Sequence, residues 1–325
     1  MKIAYFSCST IYGGVEKIVC DSVNELCQND EVLLIVPNGC LYKDKIAPKV
    51  RIYEYKNYDK RWNLLLYFEI LKVLKKFGVQ ILHTHGAKAS QMGFLLNKFM
   101  DFTQVATKHN VRKGKIFNKI PNVISVSKRV AQTINHKSEV IYFGIKQRQI
   151  SRNLGDKFSI IAVGRLDFIK GFDELIKSVS KLDFDFVLQI VGEGKERKNL
   201  QNLINSLNLQ DKVVLLGFKD DVAQRLANSH LQIISSRSEG LSISLIEGIF
   251  YANVLLGTKV GGISEILDEE FFIDYENMSA KISKIYKNYD IYSQKFSEKH
   301  KEIKNSLKFE NYISTLKNYY ENCLK

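Results

Sequence analysis

The sequence predicts an α/β protein built from two doubly wound domains, each with a parallel sheet covered by helices. Short apolar runs typical of buried strands alternate with longer runs of helical periodicity, which is the pattern of consecutive βαβ units. The alternation stops at residues 143–157, where two glycines, four basic residues and little apolar periodicity indicate a linker, and it then begins again. A chain of 325 residues is long enough for two such domains.

The elements of the first domain, residues 1–147, are justified in chain order by apolar periodicity. Its strands are expected at Lys2–Cys8, Val32–Val36, Gln80–His83, Gln104–Thr107 and Asn122–Val126, and its helices at Gly14–Gln28, Asn63–Phe77, Lys88–Met100 and Ser127–Asn135. In the second domain, residues 148–308, strands are expected at Ser159, Phe186, Val213, Leu231 and Val254, with helices through about Ser283. A last helix, residues 309–325, is expected to dock back on the first domain.

Positive charge is concentrated in the first domain. Residues 1–146 hold 23 Lys and Arg against 11 Asp and Glu, a net of +12, whereas the remaining 179 residues hold 25 against 24, a net of +1. The first half is therefore expected to face an anionic partner, which is a membrane surface, a phosphorylated acceptor or nucleic acid. The segment Asn63–Phe77, behind Lys60-Arg61-Trp62, is interpreted either as a basic amphipathic helix on an anionic bilayer or as an ordinary surface helix.

The cysteines and the N-terminus bear on the compartment. None of the five cysteines forms a C-x-x-C pair or has metal-ligand spacing with histidine, so they are interpreted as small core residues in a reducing cytosol. The N-terminus is a strand followed by polar residues, without the apolar segment of a signal peptide. A cytoplasmic protein is expected, with any membrane contact peripheral and located at the inner face.

Two pairs of charged residues follow predicted strands of the second domain. Arg165 comes directly after an apolar strand that ends in Gly164, and Lys170 follows five residues on; together such cations can hold a pyrophosphate. Glu239 lies in the loop before an apolar helix and Glu247 lies about two turns further along, and carboxylates of this kind accept hydrogen bonds from sugar and ribose diols. A glutamate at a helix start is also a common complement to the helix dipole, so the glutamate pair alone is weak evidence for a sugar-binding site. Together the four residues favour a nucleotide-sugar site.

The chain resembles the family 4 retaining glycosyltransferases of the GT-B fold, in which two Rossmann-like domains face a central cleft. The matching segments extend from about residue 12 to residue 266, and their order and spacing are specific. They are Gly13-Gly14-Val15-Glu16, His83-Thr84-His85, Thr107-Lys108-His109-Asn110, Gly164-Arg165-Leu166, Lys170-Gly171, Val191-Gly192-Glu193-Gly194, Leu216-Gly217-Phe218, Glu239-Gly240, Glu247 and Gly261-Gly262-Ile263-Ser264-Glu265-Ile266.

The resemblance implies a role for individual residues. Arg165 and Lys170 would hold the donor diphosphate, Glu247 the ribose hydroxyls and Glu239 the hydroxyls of the transferred sugar. His109 would contact that sugar or the positive charge that develops on it, so His109, Glu239, Arg165 and Lys170 form the expected catalytic set. The remaining donor contacts would come from glycines and backbone groups at Gly13, Gly14, Gly192, Gly240, Leu241, Ser242 and Ile243. His83 and His85 are left without an assigned role.

The implied reaction moves a sugar from a nucleoside-diphosphate sugar, with UDP slightly favoured, to a hydroxyl of a cell-surface glycan or lipid-linked acceptor such as lipopolysaccharide, capsule or oligosaccharide-lipid. No other cofactor, no metal and no nucleic-acid partner are expected. The triplet Asp183-Phe184-Asp185 matches a metal-binding D-x-D pattern but precedes a strand, where a turn is expected. The alternatives are a sugar-nucleotide epimerase of the same fold, and a basic membrane- or nucleic-acid-binding module suggested by the Tyr/Lys mixture at residues 53–58.

Overall fold

The computed structural model describes residues 1–57, 60 and 62–325. These residues form two compact units. Unit 1 comprises Met1–Phe143 and Glu310–Lys325, and unit 2 comprises Gly144–Phe309. Two residues of the segments singled out in the sequence lie outside the described residues. They are Tyr58, in the aromatic and basic stretch, and Arg61, beside Trp62.

Unit 1 is built on a parallel sheet that has seven strands within the described part of the chain. The strands are β1 Lys2–Ser7, β2 Glu31–Pro37, β3 Arg51–Tyr55, β4 Ile81–His85, β5 Thr103–Lys108, β6 Asn122–Ser125 and β7 Glu139–Val140. Their spatial order is β3-β2-β1-β4-β5-β6-β7, so the strand order reverses between β1 and β4. This parallel sheet confirms the predicted α/β class.

Helices cover the sheet of unit 1. They are α1 Gly14–Leu26, α2 Leu64–Phe77, α3 Gly86–Leu96, α4 Lys128–Ala131 and, after unit 2, α13 Phe309–Leu324. One core cluster joins apolar side chains of β1, β2 and β4 to the inner face of α2, where Leu66, Ile70, Leu74 and Phe77 are buried. These four residues recur every three or four positions, which places them on one face of the helix.

Unit 2 is built on a second parallel sheet, of six strands. The strands are β8 Phe158–Val163, β9 Phe186–Val191, β10 Val213–Gly217, β11 Leu231–Ile234, β12 Leu255–Thr258 and β13 Phe272–Ile273, in the spatial order β10-β9-β8-β11-β12-β13. The helices are α5 Phe172–Val179, α6 Arg197–Ser206, α7 Val222–Ala227, α8 Ile243–Tyr251, α9 Ile263–Ile266, α10 Met278–Lys287, α11 Tyr289–Lys299 and α12 Lys301–Ser306. Helices therefore continue well beyond Ser283, where the sequence pattern had placed their end.

The D-x-D triplet suggested a metal site, and the Tyr/Lys mixture at residues 53–58 suggested nucleic-acid binding. In both segments, side chains make contacts within the fold. Asp183 and Asp185 precede β9, and Asp185 pairs with Lys157 at 2.9 Å, so the D-x-D triplet lies at the amino end of the strand. In the aromatic segment, the Tyr55 side chain is buried against Phe6, and the Tyr53 hydroxyl donates to Glu69 at 3.0 Å. These two tyrosines do not offer the exposed faces on which bases stack.

Across residues 1–57, 60 and 62–325, no helix combines the length and the apolar composition needed to cross a membrane.

Candidate functional site

In unit 2, the loops after β8 and β11 are neighbours because β8 lies between β9 and β11 in the sheet. The loop after β8 carries Arg165 and Lys170, and the loop after β11 carries Glu239. Ligands of doubly wound sheets bind outside the carboxyl ends of the strands, at the point where the strand order reverses. The topology therefore brings the two predicted charge clusters to the place where this class of sheet binds ligands.

Lys170 and Glu239 form an ion pair, although 69 positions separate them in the chain. The ammonium of Lys170 donates to Oε1 of Glu239, and the hydroxyl of Ser236 donates to the same oxygen at 3.0 Å. The side chains are 21% and 11% exposed, so the pair is largely removed from water. A cation and a carboxylate at this depth attract each other more strongly than a surface pair does.

Arg165 lies five positions before Lys170 in the chain, and its side chain is exposed. Its guanidinium Nε is 3.9 Å from Oδ2 of Asp167, and the side chain is 76% exposed. Asp167 caps the short helical turn Phe168–Lys170 by accepting from the backbone N–H of Ile169 at 3.5 Å, and it lies 3.8 Å from the ammonium of Lys195. This loop therefore presents an exposed guanidinium beside the partly buried ammonium of Lys170.

Arg237 connects the two loops. Its guanidinium makes two 2.7 Å hydrogen bonds to the carboxylate of Asp173 and a third of 2.7 Å to the backbone carbonyl of Phe168. It also lies 4.0 Å from the centre of the Phe168 ring, and its backbone N–H donates to the carbonyl of Ile169 at 2.7 Å. Burial acts to raise the pKa of Asp173, but the hydrogen bonds and the charge of Arg237 outweigh it and lower that pKa. The pairing fixes the Arg165–Lys170 loop against the loop that carries Glu239.

Helix α8 begins directly after the Glu239 loop. Ser242 is its N-cap residue, with extended backbone and no side-chain cap hydrogen bond; its hydroxyl pairs instead with that of Ser244 at 2.8 Å. Leu241 and Ser242 are buried and Ile243 is half-buried. Glu247, one turn into the helix, is only 6% exposed. The positive end of the α8 dipole thus lies in the same loop region as Glu239.

Three glycines allow the backbone to pack closely around these loops. Gly192, at φ +141°, approaches the loop after β8, and a Cβ there would lie 1.9 Å from the Gly164 carbonyl oxygen. Gly261, at φ +51°, approaches the second loop, and a Cβ there would lie 1.8 Å from the Glu239 carbonyl oxygen. The next residue, Gly262, donates its N–H to the carbonyl of Gly240 at 2.7 Å. Side chains at these positions would displace the loops that carry Arg165 and Glu239.

In unit 1, the residues singled out from the sequence lie at the carboxyl edge of the sheet, on both sides of the reversal between β1 and β4. Gly13 and Gly14 are exposed, and Gly13 is the N-cap residue of α1 after β1. His85 ends β4 and His109 follows β5. Nδ1 of His85 and Nε2 of His109 are 3.0 Å apart, so one ring donates a hydrogen bond to the other.

A buried polar array continues beneath the two histidines. His83 contacts the Tyr320 hydroxyl through Nδ1 at 2.5 Å and the Thr107 hydroxyl through Nε2 at 2.6 Å, and Tyr320 also pairs with the Tyr5 hydroxyl at 2.8 Å. Burial lowers the pKa of His83 to about 3 and that of His109 to about 4, and it holds the pKa of His85 well below its usual value. The three rings are therefore neutral at pH 7.

The neutral histidines predict that unit 1 loses stability in mild acid. Burial lowers the pKa of His83 to about 3 in the folded chain, whereas in the unfolded chain it is about 6.5. As the pH falls below about 6.5, the unfolded chain therefore binds a proton that the folded chain does not bind. The free energy of unfolding decreases as a result. His83→Gln keeps hydrogen-bonding groups but cannot be protonated. Between pH 6 and 4 we expect the free energy of unfolding of this variant, measured by urea titration, to fall less steeply than that of the wild type, by about 1 kcal/mol per pH unit. Equal slopes would contradict the prediction.

The structure thus brings some of the sequence-predicted residues together in unit 2, and others belong to unit 1. Lys170 contacts Glu239 directly, with Arg165, Gly192 and Gly240 in the same or adjoining loops. The end of the same loop and helix α8 contain four more of them, Leu241, Ser242, Ile243 and Glu247. The other predicted residues, Gly13, Gly14 and His109, belong to unit 1. Sequence reasoning missed Ser236 and Arg237, and their only signal was a position between a buried strand and Glu239.

Two family models of glycosyltransferases match successive parts of the chain. Residues 12–147 match the family model described as Glycosyltransferase Family 4, and residues 145–306 match the model described as Glycosyl transferases group 1. The solved structure of Anabaena HepE in complex with UDP-glucose is similar, with a TM-score of 0.88 over 98% of this chain and 99% of that one, at 16% identity. At this identity the likeness concerns the fold.

Curated relatives share more of the sequence over shorter spans. An uncharacterized glycosyltransferase of Methanocaldococcus jannaschii is 29% identical over 215 residues, which are 60% of this chain and 60% of the relative. The N-acetylgalactosamine-N,N'-diacetylbacillosaminyl-diphospho-undecaprenol 4-alpha-N-acetylgalactosaminyltransferase of Campylobacter jejuni is 32% identical over 195 residues, which are 53% of each protein. The chain therefore spans between about half and three fifths of the length of these two relatives.

Proposed function

Because the chain belongs to the family 4 glycosyltransferases and has their GT-B fold, we propose that it transfers a sugar from a nucleoside-diphosphate sugar to a hydroxyl group, with retention at the anomeric carbon and without a metal ion. The observation that carries the proposal is the pairing of Lys170 with Glu239 beside the exposed Arg165, in loops at the strand-order reversal of unit 2. An anion-binding group and a hydroxyl-binding group then share one site.

In this proposal the charges of unit 2 bind the donor. Arg165 and Lys170 contact the diphosphate, with the N-terminus of α8 and the backbone of Leu241, Ser242 and Ile243 completing the contacts. Glu239 accepts from the hydroxyls of the transferred sugar and Glu247 from the ribose. Gly192 and Gly240 keep the loops close to the ligand. By the family resemblance, Gly13 and Gly14 of unit 1 would contribute backbone contacts to the phosphates, and His109 would contact the sugar.

The chemical step breaks the bond between the anomeric carbon and the diphosphate oxygen and forms one to the acceptor oxygen on the same face. The acceptor proton passes to an oxygen of the departing diphosphate, because no side chain of the site is assigned as nucleophile or base. Lys170 and Arg165 offset the negative charge that develops on the leaving group, which is where electrostatic stabilisation has its largest effect. Neutral His109 can contact a hydroxyl without adding a positive charge near the reacting carbon.

The proposed donor is a UDP-sugar, and the proposed acceptor is a cell-surface glycan or a lipid-linked saccharide, as in the biosynthesis of lipopolysaccharide, capsule or oligosaccharide-lipid. The name of the Campylobacter jejuni relative, with a diphospho-undecaprenol acceptor, supports a lipid-linked substrate, and HepE was solved with UDP-glucose. Such an acceptor would place the protein in the cytoplasm, at the inner face of the membrane.

Nucleotide binding tests the donor assignment. We expect one of UDP, GDP and ADP to raise the melting temperature selectively in the presence of EDTA, and Glu247→Gln to weaken its binding by roughly 10- to 100-fold in calorimetry, since a charged acceptor for the ribose hydroxyls is lost. Glu298→Gln, on the exposed face of α11, is the matched control. Binding that Glu247→Gln leaves unchanged would exclude the ribose role, and no binding of any nucleotide would exclude the donor site.

A further inference from the structure

Helix α2 of unit 1 exposes a face that is apolar at its start and basic at its end. Trp62, just before the helix, and Leu64, Leu65 and Phe68 in its first turns are between 66% and 77% exposed. The exposed positions of the remaining turns are Lys72, Lys75 and Lys76. These seven residues are called the α2 surface below. Large apolar side chains grouped in this way on a protein surface commonly mark an interaction site.

The exposure of this face follows from how α2 is fixed in the fold. Its opposite face is buried in the core of unit 1, and both ends are capped. The side chain of Asn63 accepts from the N–H of Leu65 at 3.2 Å, and Gly78 ends the helix in the left-handed conformation, with its N–H bonded to the Leu74 carbonyl at 3.0 Å. The helix cannot turn its apolar residues inward without losing its core contacts, so their exposure is a built-in property.

The charge of the α2 surface is of one sign. The helix contains one acidic residue, Glu69, and its carboxylate is directed to the loop after β3, where it accepts from Tyr53, from the backbone N–H of Lys56 and from Asn57. The exposed positions Lys72, Lys75 and Lys76 follow the apolar turns without an intervening exposed carboxylate on the helix. An anionic partner is therefore favoured over a neutral or cationic one.

Two other large apolar side chains are exposed in loops at the same edge of the sheet as the start of α2. Ile11, after β1, and Leu41, after β2, are 68% and 71% exposed, and the N–H of Leu41 donates to the carbonyl of Thr10 at 2.9 Å. Because β3, β2 and β1 are adjacent and parallel, these loops and the start of α2 all lie at the carboxyl edge of the sheet. Gly13, which we propose to be near the donor phosphates, lies at the same edge.

We propose that the α2 surface binds the surface of an anionic lipid bilayer, with Trp62, Leu64, Leu65 and Phe68 inserted among the acyl chains near the headgroups and Lys72, Lys75 and Lys76 contacting lipid phosphates. Apolar insertion beside a row of lysines is the chemistry by which an interfacial helix holds an anionic membrane, and tryptophan favours the interface. Nucleic acid would use the lysines but leave four exposed apolar side chains without a partner. The inference goes beyond the proposed transfer reaction and does not depend on it.

Vesicle binding tests the proposal on the full chain. We expect the protein to cosediment with phosphatidylcholine vesicles that contain phosphatidylglycerol, and not with phosphatidylcholine alone. Replacing Lys72, Lys75 and Lys76 with serine should lower the partition coefficient by roughly 100-fold, because each lysine near an anionic surface contributes about fivefold. Leu65→Ser with Phe68→Ser should lower it by at least roughly tenfold at any salt concentration, because the apolar contribution is not screened.

Phe99→Ser with Lys98→Ser is the matched control, because Phe99 is 76% exposed in unit 1 but follows the far end of α3. This control should bind vesicles like the wild type, and every variant should keep the nucleotide affinity of the wild type, which separates this proposal from the donor site. Equal vesicle binding by the α2 variants and the wild type, absence of vesicle binding, or tighter binding to single-stranded DNA or RNA that depends on the same lysines would each overturn the proposal.

Discussion

Lys170→Met is expected to lower turnover by about 1,000-fold, with a smaller effect on donor binding. The ammonium of Lys170 is largely buried and is fixed by Glu239, so it needs little reorganisation to meet the charge that develops on the departing diphosphate. Preorganised groups of this kind commonly contribute about 100- to 1,000-fold to turnover. The measurement is steady-state kinetics with the donor identified by nucleotide binding, together with calorimetry, so that kcat and donor affinity are obtained separately.

The structure offers a matched control for Lys170. Lys157 also pairs with a carboxylate of unit 2, that of Asp185 at 2.9 Å, but it lies at the amino edge of the sheet. Lys157→Met should therefore keep the turnover of the wild type. Lys170→Arg should recover part of the lost rate, since it retains the charge but not the compact ammonium that fits beside Glu239. A Lys170→Met enzyme that retains more than about a tenth of the turnover would exclude a direct role in leaving-group stabilisation.

Gly192→Ala is expected to destabilise unit 2 by about 4 kcal/mol and to abolish donor binding. Gly192 follows β9 at φ +141°, a conformation that alanine does not readily adopt, and its Cβ would lie 1.9 Å from the carbonyl oxygen of Gly164. The backbone N–H of Gly192 also donates to the carbonyl of Gly217 at 2.9 Å, so the residue cannot move away without losing this link to β10. Relief of the clash would have to shift Gly164 and, with it, Arg165.

Chemical denaturation and nucleotide binding measure the two consequences of Gly192→Ala. Gly155→Ala is the control, because Gly155 is exposed in the same unit and a Cβ there would meet no atom within 4 Å. It should change the free energy of unfolding by less than about 1 kcal/mol and leave nucleotide affinity unchanged. If Gly192→Ala were as stable as Gly155→Ala, the close approach of β9 to the Gly164 loop would not matter to the fold.

The sequence predicted those elements of the fold that have strong apolar periodicity. The ten predicted strands correspond to strands in the structure, whereas Arg51–Tyr55, Glu139–Val140 and Phe272–Ile273 went unrecognised. The first is an edge strand, where one side of the ladder is open and polar residues are tolerated, and the other two have only two residues each. Helices α11 and α12 were missed because their exposed faces are polar and their buried residues few.

The candidate site was predictable in its residues but not in its contacts. Arg165, Lys170 and Glu239 follow buried strands that end at the same sheet edge, and this much can be read from the pattern. Their pairing depends on the order in which strands add to the sheet, which periodicity does not reveal. Arg237 was missed for a related reason: its partners Phe168 and Asp173 lie more than 60 positions away, and a single arginine in a loop carries no pattern.

Helix α13 belongs to unit 1 although it follows unit 2 along the chain. The Tyr5–Tyr320 contact joins residues 315 positions apart, so it closes a loop that contains the whole of unit 2. During synthesis the continuous segment Gly144–Phe309 is complete before α13 is made, and unit 2 can fold first. Until α13 emerges, Tyr5 lacks the hydroxyl of Tyr320 and one face of the first sheet lacks its last helix. Unit 1, most of which is synthesised first, can therefore complete its fold only after all of unit 2 has been synthesised.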